Sequence, residues 1–584
     1  MTGVAYRLRM PEPHSHLFQV EVRAEGVRGP AELVMPSWTP GSYLMREFPR
    51  NVQDFRAEDG AGRALAWEKT DKNTWRVAAP ADGALVARYA VYANEISVRT
   101  SHLDATHGYV NGASVFVYLA GREREPVELE VEKPENWRVT TALPGEGSRF
   151  RAEHYDHLVD SPLEIGQHTL IEWQLEGKRH RYAIWGQGNY DPRRLVADTS
   201  LIVQAEKALF GGELPYPAFT FIVHAVPGAS GGLEHRESTS LLVDRWTFRG
   251  PLYEQFLGLV ALEFFHVGNG KRIRPEGLGP FDYTHETYTR ELWVVEGFTT
   301  YYTDLLLRRS GMMPRQRYLD KLGEMISRFQ QLPGRRVQSL EEASFDAWIK
   351  FYRPDAHTPN AQVSYYQKGA LVALLLDLTL RGATDNRRSL DDLLRILWER
   401  YGKRDEGYPA GRVEALASEL AGTDLRPHFD RWLRSTDDLE FDEALAVAGL
   451  QVVPAGEGAP VAPARSGSPA EPGAERVRTE VRTGIQFKYE GGKILVSHVL
   501  AGTPAFRAGV NDGDELVTLT MEVESGPPAR LVVRPVPEPT ERQQLVLEHW
   551  LRTDVPQVRV AGGGGAGGVG GRGGPAGGVP AAGG

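Results

Sequence analysis

The stretch LVALEFFHVGNGKRIRP, residues 259–275, sets Glu263 and His266 at E-x-x-H spacing inside an otherwise apolar run. In the full H-E-x-x-H pattern, two imidazoles one helical turn apart hold a zinc ion, and the glutamate between them activates the metal-bound water. Here the first ligand position is Leu262. Leucine has no lone pair to donate, so the segment keeps the general base and one ligand of a hydrolytic centre. Burying Glu263 and His266 among Val260, Ala261, Phe264 and Phe265 is costly unless the two pair or meet a metal. A mutually satisfied Glu–His pair in a core helix is the plainer alternative.

Three further stretches carry compatible chemistry. ELWVVEGFTTYYTDLL, 291–306, places Glu296 on a second apolar helix, where a downstream carboxylate serves as third zinc ligand in such centres. GGLEH, 231–235, follows the strand-like FTFIVHAV and brings Gly231, Gly232 and the acidic Glu234. SYYQKGALV, 364–372, sets Tyr366 at the start of a long helix. His285, in DYTHETYT, is the nearest other imidazole by sequence, and nothing in its surroundings fixes its direction. Scaffold requirements alone do not readily explain this combination.

The elements that must position these groups follow from pattern and punctuation. A chain of 584 residues exceeds one hydrophobic core, so several domains are expected. A net charge of −10 argues against a nucleic-acid surface, and the absence of cysteine rules out disulfides, thiolate nucleophiles and Cys-based metal sites. No run reaches the 18 or more apolar residues of a membrane span, and MTGVAYRLRMPEPHSH has no apolar signal core, so a cytoplasmic protein is expected.

Residues 1–172 read as β-rich and sandwich-like: FQVEVRA alternates, placing Phe18, Val20 and Val22 on one face. Residues 173–452 turn mainly helical after about 250, with helical spacing at 253–267, 288–308, 315–330, 365–381 and 389–401. The Pro/Ala/Gly-rich 453–479 reads as a linker and 480–548 as a small β-rich unit, while the Gly-rich 549–584 is expected to be disordered.

With these residues in view, the chain resembles the PDZ-containing glycyl aminopeptidase-like family of gluzincin metallopeptidases. The resemblance rests on PSWTPGSYLMREFPRNVQDF (36–55), DKNTWRV (71–77), YDHLVDSPLEIG (155–166), GGLEH, LEFFHVGNGKRIRP, LGPFDYTHETYTRELWVVEGFTTYY (278–302), YYQKG (365–369) and FDEALAVAGL (441–450). It implies a multidomain α+β chain: a β-sandwich-like domain, a mainly helical thermolysin-like catalytic domain and a C-terminal PDZ-like domain. It further implies His266 and Glu296 as second and third zinc ligands and Glu263 as the base. Tyr366 would be a donor to the tetrahedral oxyanion, with Gly231, Gly232 and Glu234 holding the substrate and its free α-amine.

The departure is at the ligands. The family pattern runs H-E-F-F-H-x-W-N, against Leu262 and Gly268 here, and Gly268 with Gly270 should loosen the helix end. Zinc, the family's metal, is therefore expected to bind weakly or not at all. TGIQFKYEGGKILVSHVLAGTPAFRAGVNDGDELVTL, 483–519, resembles a PDZ domain, with Thr483, Gly484 and Ile485 as its carboxylate-binding loop. The expectation is a peptidase scaffold with impaired or absent hydrolysis, retained for binding peptides or protein termini. The alternative is an active zinc aminopeptidase that removes small N-terminal residues with a substitute or incomplete ligand set.

Overall fold

The computed structural model describes residues 3–455, 483–517 and 531–554. The N-terminal part is built from an eight-stranded sheet and two four-stranded sheets around one core. Strand Leu17–Glu25 buries Phe18, Val20 and Val22 as the alternation requires and pairs antiparallel with Ala84–Tyr92, Phe18 opposite Val91. Strand Val4–Arg9 is sandwiched between Leu17–Glu25 and Val127–Glu132, and pairs with the latter in parallel.

Next comes a five-stranded mixed sheet. Thr169–Leu175 and Lys178–Trp185 form a hairpin, Ala218–Ala225 and Ser238–Val243 continue in parallel, and Ser230–Glu234 closes the edge antiparallel. The expected boundary at 172 thus falls inside the first strand of this sheet. Helix Pro192–Leu209 makes the crossover between the parallel strands Lys178–Trp185 and Ala218–Ala225. Asp191 caps it by accepting from the amides of Arg193 and Arg194.

The remaining helices are Pro251–Phe265, Thr299–Arg309, Arg315–Gln331, Tyr365–Ala383 and Leu390–Arg400, close to the expected spans, with shorter helices around them. One difference matters. The segment expected to be helical from 288 enters its helix only after Glu291, through a widened π turn over Trp293–Phe298 that carries Glu296. Such turns displace a side chain from the ordinary helical stripe and recur at functional sites.

The end of the chain also departs from expectation. Strands Ile485–Glu490 and Lys493–Val499 pair with each other, and the short helix Pro504–Arg507 follows. Strand Leu531–Pro535, however, pairs with Leu450–Pro454, and helix Glu541–Trp550 packs on the helical domain. There the buried Trp550 indole donates to the Tyr301 hydroxyl at 2.8 Å. The unit drawn at 480–548 is therefore divided: 483–517 form the small β unit, while 531–554 complete the helical domain's core. The apolar faces of Val533, Val546 and Trp550 are buried by that docking. Residues 453 and 454, assigned to the linker, end a strand, and 549–554, assigned to the tail, close the last helix. Residues 456–479 and 555–584 of these segments lie outside the described residues.

Candidate active-site cleft

Helix Pro251–Phe265 runs beneath the edge strand Ser230–Glu234 and ends at His266. The two approach so closely that a Cβ on Gly232 would stand 1.9 Å from Glu263 Oε1. Only glycine leaves room there for the carboxylate. A second close crossing sets the opposite wall. A Cβ on Gly297 would lie 2.6 Å from the backbone of Gly369, so the Glu296 turn and helix Tyr365–Ala383 touch backbone to backbone. This crossing brings Tyr366 to Glu296, whose carboxylate form its hydroxyl favours.

His266 and Glu296 meet as the spacing suggested, with Nε2 3.4 Å from Oε2 and both side chains buried. Asn269, which sequence reasoning passed over, locks the pair. Its carbonyl accepts from His266 Nδ1 at 2.9 Å, and its amide donates to the carbonyls of Val294 and Val295 at 2.9 and 3.0 Å. One residue thus fixes the imidazole's orientation through its backbone carbonyl and ties it, through its side-chain amide, to the turn carrying Glu296, the supporting role such partners play around metal ligands.

Gly268 has a different explanation from a loosened helix end. A Cβ there would fall 2.4 Å from the Phe210 ring, which fills the space a larger side chain would need. Gly270, at φ +115, does hold a conformation that favours glycine.

Two more cleft residues come from the N-terminal domain and were missed in sequence reasoning. Arg99 Nη2 donates to the Gly232 carbonyl at 3.3 Å. Gly41 abuts Glu234, where a Cβ would lie 2.5 Å from Oε1. Nothing local marks either residue, because the partners are far apart in the chain. His285 is on the surface, bonded to Asp282 at 3.1 Å, and does not join the other site residues.

Charge is concentrated in the cleft. Burial, then the nearby Glu234, pushes the Glu263 carboxyl up to about 8, with His266 opposing. Burial opposes charge on His266, but Glu296 and then Glu234 outweigh it and raise the imidazole to about 10. Burial raises Glu296, with His266 again opposing. A proton shared in the His266–Glu296 pair thus sits where a cation would balance these carboxylates. Glu263 Oε2 is buried without a hydrogen-bond partner.

These residues do not fit a complete catalytic zinc centre. Leu262 is half-buried and takes no part in the hydrophobic core, so an apolar side chain occupies the first ligand position. Two protein ligands remain where three are usual. Among the described residues, three donor atoms converge within 4.8 Å elsewhere but not here.

In the small unit, Thr483 and Gly484 precede strand Ile485–Glu490, which Ile485 opens. The Ile485 amide is engaged by Thr483 Oγ1 at 3.2 Å and the Gly484 carbonyl by the Leu500 amide at 2.8 Å. The unit is held to the helical domain through Asn360, which donates to the Val499 carbonyl at 2.9 Å and accepts from the Ala501 amide at 2.7 Å.

Comparison with known proteins agrees with this architecture. Residues 5–167 match the Peptidase M61 N-terminal domain, and residues 255–372 match M61 glycyl aminopeptidase. The crystal structure of an aminopeptidase N family protein from Idiomarina loihiensis is similar over 94% of this chain and 100% of its own, at 31% identity and TM-score 0.84. An M1 zinc metallopeptidase from Deinococcus radiodurans shares 15% identity over 75% of this chain and 95% of its own, at TM-score 0.46. No curated protein matched. Fold and cleft define a metallopeptidase scaffold. The chain belongs to the M61 glycyl aminopeptidase family. No helix among the described residues is long and apolar enough to cross a membrane.

Proposed function

We propose that this protein is a glycyl aminopeptidase scaffold with impaired or lost hydrolysis, whose cleft still receives the free N-terminus of a peptide. The observation that carries the proposal is Leu262 at the first ligand position, beside an imidazole already paired with Glu296 at 3.4 Å. In this reading His266 and Glu296 are the surviving ligand positions, Glu263 the former base and Tyr366 the former oxyanion donor.

Binding needs less than hydrolysis does. Ser230–Glu234 is a sheet-edge strand, so an extended peptide can add to its backbone at Gly231 and Gly232. Glu234 supplies the negative charge that an α-ammonium group requires. The small β unit would bind a C-terminal peptide through Thr483, Gly484 and Ile485, using the edge of Ile485–Glu490 that no strand among the described residues pairs with.

The competing reading is an active zinc aminopeptidase specific for small N-terminal residues. Retention of Glu263, Glu296 and Tyr366 in register favours it. The two readings separate in one experiment on the unaltered protein, using alanyl peptides and an alanyl reporter. The scaffold reading expects binding of peptides with a free amine, loss on acetylation or in Glu234→Gln, and no reporter hydrolysis. Reporter hydrolysis that phenanthroline inhibits and Glu263→Gln abolishes would overturn it.

A further inference from the structure

Away from the cleft, the junction between the N-terminal domain and the five-stranded sheet holds a cluster of imidazoles and a carboxylate. His107 stands on strand His107–Val110, Glu164 on the adjacent strand Leu163–Gly166 and His224 on Ala218–Ala225 of the other domain. All three are buried, at 0%, 0% and 2% relative exposure. Each offers a donor atom within 4.8 Å of the other two. His224 Nε2 lies 2.8 Å from Glu164 Oε2.

The cluster's hydrogen bonding is unfinished. Neither ring nitrogen of His107 has a close hydrogen-bond partner, Nδ1 standing 3.8 Å from Asp104 Oδ1, and Glu164 Oε1 and His224 Nδ1 also lack one. Buried polar atoms are nearly always satisfied, so an unsatisfied atom on each of the three side chains calls for a missing partner. His107 is held in place by Trp185, stacked on it at 3.6 Å. His168 stands behind, its Nε2 bonded to Thr140 Oγ1 at 2.7 Å and its Nδ1 4.0 Å from Glu164 Oε1.

We propose that His107, Glu164 and His224 form a structural binding site for a divalent transition-metal ion, zinc foremost, which clamps the two domains together. Two imidazoles and a carboxylate are a common zinc donor set, and ligand atoms around a tetrahedral zinc are about 3.3 Å apart, within reach of this cluster. His168 is placed behind Glu164 as its support.

The clamp has a consequence for the cleft. His224 is opposite Leu242, which is opposite Gly231 on the edge strand, so the ion's strand lies two strands from the cleft. The N-terminal domain it would anchor carries Arg99 and Gly41, the residues set against Gly232 and Glu234. His107 also neighbours His102 and Asp104, a second candidate triad.

The test uses the full chain, stripped with chelator and reloaded with zinc. About one ion per chain should be retained, in the unaltered protein and in His266→Gln alike, and be lost in Glu164→Gln and His224→Gln with far-UV circular dichroism unchanged. Failure of zinc to bind the stripped chain would overturn the proposal. So would loss in His266→Gln with retention in Glu164→Gln, or loss in His102→Gln with retention in Glu164→Gln. Should the Glu164 and His224 variants not fold, His266→Gln still decides: zinc must raise its thermal unfolding midpoint above that in chelator, and no shift refutes the clamp.

Discussion

Replacing Leu262 with histidine tests most directly the proposal that this residue disables the cleft. Positions 262 and 266 are one helical turn apart, so the introduced imidazole would project beside His266, with Cβ atoms about 5–6 Å apart. In the unaltered chain two costs weaken metal binding. With the His266 pKa at about 10, releasing its proton at neutral pH costs roughly three powers of ten in affinity. The absent ligand costs at least the roughly 10–100-fold attached to losing a mere supporting partner.

Leu262→His removes the second cost and leaves the first. Zinc affinity at the cleft should therefore rise by at least about 10–100-fold. It should also keep climbing, roughly tenfold per pH unit per imidazole that must lose its proton, toward pH 10. The assay is competition with a chromogenic chelator, counting only zinc that disappears when His266→Gln is added, which excludes ion bound elsewhere. Hydrolysis of an alanyl reporter should appear with it and vanish in Glu263→Gln. If the unaltered chain already holds zinc at His266 as tightly as Leu262→His does, the argument from ligand count is wrong. No gain in Leu262→His would refute it equally.

Three further outcomes follow from the same geometry. The raised pKa of Glu263, from burial and then Glu234, means its contribution to stability is complete below about pH 4.5 and is lost as pH rises through about 8. In chelator-treated protein the stability of Glu263→Gln relative to the unaltered chain should thus increase across that window, and a pH-independent difference would contradict the assignment. Gly297→Ala forces a Cβ to 2.6 Å from Gly369, where contact wants about 3.5–4.0 Å. The helices must part by about 1 Å, destabilising the fold by about 1–3 kcal/mol, read as a lower urea midpoint. Trp550→Ala should cost about 3–5 kcal/mol in the same measurement, because the indole is fully buried in the helical domain's core. An unchanged midpoint would show that residues 531–554 fold apart from that domain.

Much of the cleft was readable from local pattern. E-x-x-H on an apolar helix puts Glu263 and His266 near one face whatever surrounds them, and the identity of Leu262 leaves no donor atom at position 262. Period-two alternation placed Phe18, Val20 and Val22 inside, since strand geometry turns every second side chain the same way. The glycines at 232, 297 and 369 were visible as letters, but their reason was not: each is required by an atom from another segment.

Contacts across long chain separations leave no periodic trace. Arg99 and Gly41 reach the cleft from another domain, and Asn269 fixes His266 by bonding the turn at Val294 and Val295. Residues 531–554 join the helical domain, although their composition alone is equally compatible with the neighbouring β unit. The trio of His107, Glu164 and His224 exists only because two domains close on it. Chemistry carried by residue type and short spacing belongs to the sequence itself; which distant groups share a desolvated site is set by how the sheets and helices pack.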